Sequence, residues 1–333
     1  MLPPKVVAWK RSYPAGRFWS VPERELTSQP ILKHGNHKGG MMLLIGENVN
    51  IMSETIGPAL RGRNPKPIQE LARAETEAGV DYLDLNIGPA RKAGDELMTW
   101  VVNAVQEVTD LPLSLDTTNP TAMEAGLKVH KGRALINSIS LQPERLEPEL
   151  PLVKKYDADM IGLLWGTEGM PRDAAERCVL AVDLVYRANQ LGIPNRDIWI
   201  DPILTPASGE INQVKACFEF MSMLNDIAPE CKSVVGLSNI SNGTPTHLRP
   251  YLNRSCMIML MKYGLYSAIV DAFDSELIKI ARGEMPEIVK LVHRVMDGEK
   301  PDLSSLSQKE AEYVKTVRVL TGETLYSHSW LEI

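Results

Sequence analysis

The stretch Val234-Val235-Gly236-Leu237-Ser238-Asn239-Ile240-Ser241-Asn242-Gly243 decides the fold. A short apolar run stops abruptly at a cluster of amides and hydroxyls. Such runs, closed by turn formers, fit parallel strands, because crossover helices bury both faces of the sheet and leave little room for polar alternation. The polar tip then marks where the strand delivers side chains to a surface.

Outward from this stretch the pattern repeats. Leu43 to Asn48, Tyr82 to Asn86, Leu113 to Asp116, Ala134 to Ser138, Met160 to Trp165, Ile198 to Asp201, Ser233 to Asn239 and Ala268 to Asp271 are eight such runs. Helical segments alternate with them. Asn64-Pro65 and Asn119-Pro120 place a capping side chain before a proline at the first helical position, and Gly79 and Gly192 stand where a helix end takes a left-handed residue. Over Pro171 to Leu191 the pattern predicts a broad apolar face of Val179, Leu180, Val182, Leu184, Val185, Ala188 and Leu191. Strand then helix, eight times, predicts a single (β/α)8 TIM barrel over residues 42–283, close to the roughly 250 residues typical of one barrel.

Composition narrows the function classes. With 44% hydrophobic and 23% charged residues, the chain has the make-up of a soluble globular protein, expected in the cytoplasm. No apolar stretch approaches the roughly 18 residues of a membrane span. A formal net charge of -6 argues against nucleic acid, whose phosphates need a basic face. Cys178, Cys217, Cys231 and Cys256 are scattered without metal-ligand spacing and read as reduced core thiols.

The ends of the chain stand apart. Residues 1–40 hold seven Lys/Arg against two Glu, with prolines interrupting every candidate element. Residues 1–41 read as an irregular extension, and three readings stay open. They are a flexible arm, an organelle transit peptide, or translated upstream sequence, since His37-Lys38-Gly39-Gly40 before Met41-Met42 can be encoded by a purine-rich ribosome-binding sequence. Residues 284–333 predict a helical tail. Ile288, Val289, Leu291, Val292 and Val295 give one amphipathic helix, and Ser307-Gln308-Lys309-Glu310 is a capping box for a second that ends at Gly322. The close, Leu325 to Leu331, is too apolar for a free tail and is expected to pack on the barrel or on a second subunit.

In a (β/α)8 barrel the chemistry sits at the C-terminal ends of the strands, where the βα loops build one face. Those ends supply Glu47, Asn48, Asp84, Asn86, Asp116, Asn137, Ser138, Asp201, Ser238, Asn239 and Asp271. All are carboxylates, amides or hydroxyls. With no Lys, Arg or His at a strand end, neither a Schiff-base lysine nor a histidine metal site is expected. Such a mouth suits a flat heteroaromatic ligand that presents hydrogen-bond donors, a role that the amine and N3-H of a 2-amino-4-oxo pyrimidine edge would fill.

Six motifs sharpen this. Ile45-Gly46-Glu47-Asn48-Val49-Asn50, Leu83-Asp84-Leu85-Asn86-Ile87-Gly88-Pro89, Leu113-Ser114-Leu115-Asp116-Thr117-Thr118-Asn119, Leu135-Ile136-Asn137-Ser138, Trp199-Ile200-Asp201-Pro202 and Gly236-Leu237-Ser238-Asn239-Ile240-Ser241 occur in that order. Together they resemble the pterin-binding methyltransferases, in particular methyltetrahydrofolate:corrinoid/iron-sulfur protein methyltransferase, over about three quarters of the chain. The resemblance implies methyl transfer between N5 of tetrahydrofolate and the cobalt of a corrinoid carried by a partner protein, in a homodimer. It implies pterin contacts from Asp116, Asn137 and Asp201, and an amide, Asn239, reaching N5, with Asp116 on the route of the proton. Asp84 and Glu47 are further candidates for pterin contact. Asn242 stands where the family has a second ligand-contacting amide, usually glutamine, a departure, and the loop Gly243 to Arg249 is about two residues longer than in relatives.

Alternative roles stand beside these. Asp116 could only cap the next helix; Asp84 and Asn86 could brace loops rather than contact the ligand; Glu47 could hold Asn50 or a neighbouring loop rather than touch substrate; Trp165 could be core rather than a stacking surface; His130 and His247 read as solvated surface residues. At the level of function, dihydropteroate synthase shares the barrel and the pocket, but would call for a basic residue on strand seven, where this chain has Ser238-Asn239. A non-catalytic folate-binding subunit would bind the pterin without turnover.

Overall fold

The computed structural model describes residues 42–332, so the readings of residues 1–41 lie outside the described residues. Eight strands, β1 (Leu43–Asn50), β2 (Tyr82–Gly88), β3 (Leu113–Thr117), β4 (Leu135–Ser140), β5 (Asp159–Leu163), β6 (Ile198–Asp201), β7 (Lys232–Gly236) and β8 (Ser267–Val270), close a barrel in sequential order. Every neighbouring pair is parallel, β1 with β8 included. The helices are α1 (Ile56–Arg61), α2 (Pro65–Ala78), α3 (Gly94–Gln106), α4 (Pro120–Val129), α5 (Pro143–Tyr156), α6 (Ala174–Gln190), α7 (Ile211–Ile227), α8 (Arg249–Met261), α9 (Ser275–Ala281), α10 (Pro286–Met296) and α11 (Gln308–Thr321). The eight predicted strands are all present. The six-residue α1, inside the loop after β1, is an addition to the predicted order.

The punctuation of the sequence does what its chemistry predicts. Asn64 accepts from Lys66 N at 3.3 Å and Asn119 from Thr121 N at 3.0 Å, each ahead of a proline. Gly79 ends α2 at φ +94°, a conformation that a side chain would strain. Ser307 and Glu310 form the reciprocal capping box of α11.

Inside the barrel, Leu43, Ile45, Leu135, Ile161, Trp199 and Val234 form a small core of their own, separate from the larger shell between strands and helices. Its floor is polar but closed. Trp199 Nε1 donates to Asp159 at 3.0 Å, Lys232 Nζ lies 3.2 Å from the same carboxylate, and that ammonium stands 4.9 Å from the Trp199 ring centroid. The open end is therefore the opposite one, at the strand C-termini.

Three expectations are corrected. Strand seven stops at Gly236, and Leu237–Ser241 is a 3-10 turn, so Asn239 lies one turn beyond the sheet rather than on the strand. The pairing of β7 with β8 runs out at Gly236, and the polar residues that follow turn over the barrel rim. The face of α6 is narrower than predicted. Ala174, Arg177, Ala181, Leu184 and Ala188 are buried, whereas Val179, Val182 and Leu191 are exposed. Close approach sets this face: Gly162 of β5 has no Cβ, and one placed there would clash with a Leu184 methyl. Third, His130 is half-buried, not solvated; its Nε2 accepts from Leu113 N at 3.3 Å, tying the end of α4 to the start of β3.

The tail packs on the same chain. Helices α10 and α11 lie against α8, and α11 also against α7. Val292, Val317 and Trp330 join the main core. Trp330 is 1% exposed and donates through Nε1 to Thr316 at 3.1 Å. No helix among the described residues is long and apolar enough to cross a membrane.

Candidate functional site

Strand register brings the site residues together. Asn86 pairs with Asp116 across β2 and β3, and Asp116 with Asn137 across β3 and β4. One layer below, Asp84 faces Ser114. The side chains bond accordingly: Asp84 accepts from Ser114 Oγ at 2.6 Å and from Asn137 Nδ2 at 3.0 Å, while Asn86 donates to Asp116. Asp84 is 3% exposed and is bonded to side chains of two other strands, whereas Asp116 and Asn137 are half-buried, one layer nearer the strand C-termini.

A second group stands across the barrel. Ser238 donates to Glu47, Asn48 donates to Asp271 at 2.9 Å, and Ala272 N donates back to Asn48 Oδ1 at 3.0 Å. Above them opens a cavity of about 860 Å³ whose wall includes Glu47, Asn48, Ser238, Asn242, Arg249 and Asp271. Asp84, Asp116, Asn137, Asp201 and Asn239 are not part of that wall. Asp84 links the two groups electrostatically, since its charge raises the pKa values of both Glu47 and Asp116.

Asn239 and Asn242 are adjacent on the lip. Asn242 Nδ2 donates to Asn239 Oδ1 at 3.4 Å, which occupies the amide oxygen of Asn239. The Asn239 amide group lies over Gly236, where a Cβ would meet its Nδ2 at 3.2 Å. Trp165 is half-buried just beyond β5, its carbonyl accepting from Leu141 N at 3.0 Å. His247 is exposed.

The acids of this mouth are hard to ionise. Burial pushes Asp201 and Asp84 up to about 6 and Glu47 up to about 7. Asp116 is raised well above the usual carboxylate range, first by burial and then by the charge of Asp84, against the opposing effects of Asn86 and Arg145. A ligand that donates hydrogen bonds to these carboxylates stabilises their charged form, so the site is poised to trade protons for such a ligand.

Four charged residues behind the mouth escaped the sequence reading. Arg177 is fully buried on α6; it donates to Pro202 O at 2.8 Å and to Gln213 at 3.0 Å. That anchors a tight turn in which Ile203 sits at φ +66°, an uncommon conformation for a β-branched residue, and Ile203 N donates to Asp201 at 2.8 Å. Arg145 on α5 donates to the carbonyl oxygens of Ser138 and Thr117, next to Asn137 and Asp116, and lies 3.2 Å from the buried Glu149. Glu75 on α2 accepts from Asn48 N at 3.2 Å and is pushed up to about 8 by burial. A signal was available for three of them. Glu75 follows Ile68 and Ala72 on the buried stripe of α2, Arg177 precedes Ala181 and Leu184 on that of α6, and Glu149 lies beside Leu146 and Leu150 on α5. An ion at a helix position that faces the core must have a partner there.

A closed eight-stranded parallel barrel with acids and amides at its strand ends defines a class, and residues 47–271 match the Pterin binding enzyme family. The chain belongs to that family. Among curated proteins it is similar to a methylcorrinoid:tetrahydrofolate methyltransferase of Eubacterium limosum, 28% identical over 232 residues, covering 69% of this chain and 85% of the relative. It is 27% identical to methionine synthase of Mycobacterium tuberculosis over 267 residues, which is 75% of this chain but 22% of that much longer protein. Among solved structures, dihydropteroate synthase of Thermus thermophilus superposes with a TM-score of 0.56 at 22% identity, covering 74% of this chain and 94% of that one. That of Yersinia pestis, in complex with a sulfonamide drug, gives 0.59 at 14%, covering 74% and 95%. At these identities the structural likeness speaks to the fold alone.

Proposed function

We propose that this protein is a methyltransferase that moves a methyl group between N5 of tetrahydrofolate and the cobalt of a corrinoid carried by a separate protein. The observation that carries the reading is the turn after strand seven, where the residues at the rim are the neutral Ser238, which donates to Glu47 of the cavity wall, and Asn239; the basic Arg249 of that wall bonds to Ser241 further along the same loop. Diphosphate departure, as in dihydropteroate synthesis, would favour a basic group there. The resemblance of the motifs, and the activity for which the Eubacterium relative is named, support the same choice.

In this reading Asp116, Asn137 and Asp201 hold the pterin edge. Ionised Asp201 accepts from the amine and N3-H, and Arg177 fixes its direction through the Pro202-Ile203 turn. Asp84 and Glu47 act from behind, Asp84 by orienting Asn137 and Glu47 by holding Ser238. Asn239, its oxygen engaged by Asn242, keeps its NH2 to donate to N5. N5 of methyltetrahydrofolate is a tertiary amine and a poor leaving group, so a hydrogen bond that strengthens as N5 gains charge lowers the barrier to methyl loss. Asp116, whose pKa burial holds well above the ordinary carboxylate range, lies on the route by which a proton reaches N5 through water. The partner's corrinoid supplies the methyl acceptor or donor. The barrel mouth must leave room for it, over a transient and partly polar interface.

The catalytic unit is residues 42–283, with residues 284–333 as its support and a cytoplasmic homodimer as its form. Sedimentation velocity reads the oligomeric state. The central experiment mixes purified protein, methyltetrahydrofolate and reduced cobalamin, and follows loss of the Co(I) absorbance. Turnover is the expected result. Diphosphate release from a pterin diphosphate and 4-aminobenzoate, with no methyl transfer, would replace this reading by dihydropteroate synthesis. Folate binding without either activity would leave a binding subunit.

A further inference from the structure

The segment after the barrel ends against the loop that carries the site's amides. Thr244 lies two residues after Asn242 and is 8% exposed. Its hydroxyl stands 2.8 Å from the phenol oxygen of Tyr326, 82 residues further along the chain. Tyr326 is itself held from behind. Its ring lies 5.5 Å from that of Trp330, which is buried and bonded to Thr316 of α11, and Lys315 of the same helix donates to Leu331 O at 2.6 Å. Helix α11 rests on α7 and α8, the two helices that flank β7 in the chain.

The loop's other fastenings are nearer its start. Ala207 N donates to Ile240 O at 3.0 Å, Arg249 Nε to Ser241 Oγ at 3.1 Å and Ser208 Oγ to Asn242 O at 3.4 Å. The span from Gly243 to Pro245 is held by the Thr244 N to Ser241 O bond at 3.1 Å, by the Leu248 N to Pro245 O bond at 2.9 Å and, as its side-chain tie to the rest of the chain, by Tyr326. Asn242, just before this span, is the residue whose amide engages Asn239. The family match ends at residue 271, so Thr244 lies within the matched residues and Tyr326 beyond them.

We infer that Tyr326 is a positioning residue: through its hydrogen bond to Thr244, the C-terminal segment fixes the loop after strand seven, so that Asn242 holds the Asn239 amide in its working direction. This rests on the methyl-transfer reading for its kinetic consequence, and on geometry alone for the strap. The physical argument is one of entropy. An amide on a surface loop samples several rotamers and loop positions, and an amide that must meet N5 at hydrogen-bond distance works only in one of them. A half-buried phenol packed against the core through Trp330 removes the alternatives without touching the ligand.

The test uses the full chain with Tyr326→Phe, Thr244→Val, the pair together, and Thr244→Ser. Tyr326→Phe keeps the ring against Trp330 and removes only the hydroxyl, so the melting temperature should stay within about 2 °C of wild type. At saturating methyltetrahydrofolate, single-turnover transfer to reduced cobalamin should fall about five- to tenfold in each single variant and no further in the pair, as for two ends of one contact. Thr244→Ser keeps the hydroxyl and should retain the wild-type rate. Hydrogen exchange without any ligand should rise at residues 240–246 in Tyr326→Phe and not elsewhere. Unchanged exchange in that loop, or losses that multiply in the pair, would overturn the inference. So would unchanged rates in both single variants. If wild-type protein transfers no methyl group, the functional proposal fails while the exchange measurement still decides whether the strap exists.

Discussion

Asp201→Asn is the sharpest perturbation of the pterin pocket. The substitution preserves shape and leaves Oδ1 able to accept from Ile203 N, now 2.8 Å from the carboxylate, so the turn held by Arg177 should persist. It removes a charge-assisted pair of acceptors and puts a donor where the pterin edge also donates. Hydrogen bonds to charged groups contribute about 1.5 to 3 kcal/mol, which corresponds to a loss of about 10- to 150-fold in affinity for methyltetrahydrofolate. A pH signature accompanies the loss. Free Asp201 titrates at about 6, and the ligand stabilises its ionised form, so binding releases a proton below that pH. From pH 7 to pH 5 the wild-type affinity should fall about tenfold through this group, and the Asn variant should lose that part of the slope. Calorimetric titration between pH 5 and 8, with melting curves alongside, measures both effects. At pH 8 the ligand-free variant should melt no lower than wild type, because the ionised carboxylate is itself unfavourable there; the lost attraction to Arg177 limits any gain. Wild-type affinity with an unchanged pH slope would remove Asp201 from the site.

Asn239→Ala should slow single-turnover methyl transfer by about 10- to 100-fold while changing donor affinity much less, since the amide is proposed to act as N5 gains charge; a normal rate at saturating donor would leave it a structural role. Arg145→Met strands Glu149, whose side chain is 0% exposed, and should cost about 3 to 5 kcal/mol by denaturant titration at pH 8, where that carboxyl is charged, with only part of the loss recovered in Arg145→Met/Glu149→Met, since the Ser138 and Thr117 carbonyls lose their donor in both. The ligand-free protein should melt several degrees lower at pH 8 than at pH 6. Glu47 and Glu149 (about 7) and Glu75 (about 8) are raised by burial, so their contribution to stability is full below the ordinary carboxylate range and is lost as pH rises through these values. His130, lowered by burial, works in the opposite sense, and a melting temperature that rises toward pH 8 would refute the assignment. Ending the chain at Gly283 strips Val292, Val317 and Trp330 from the core they share with the barrel and should produce aggregation visible by light scattering.

The sequence by itself determined the eight strands and their order, because a strand buried on both faces must be apolar throughout and a helix must announce its ends with caps; Asn64, Asn119, Ser307 and Gly79 are read locally and behave locally. It also determined most of the residues at the strand ends, and hence the acidic and amide character of that face, though not that Ser238 and Asn239 lie a turn beyond β7. Only the tertiary structure decided how those residues divide. Strand register places Asp84 under Asn137 and Asn86 beside Asp116, and register is a property of pairs of strands far apart in sequence. The raised acids, the buried Arg177 behind Asp201 and the contact of Tyr326 with Thr244 depend in the same way on distance through space and on exclusion of water, which a linear pattern does not encode. The exposed side of α6 has the same origin: an apolar helix face can be read from spacing, but how much of it is covered depends on what the neighbouring Gly162 lets in.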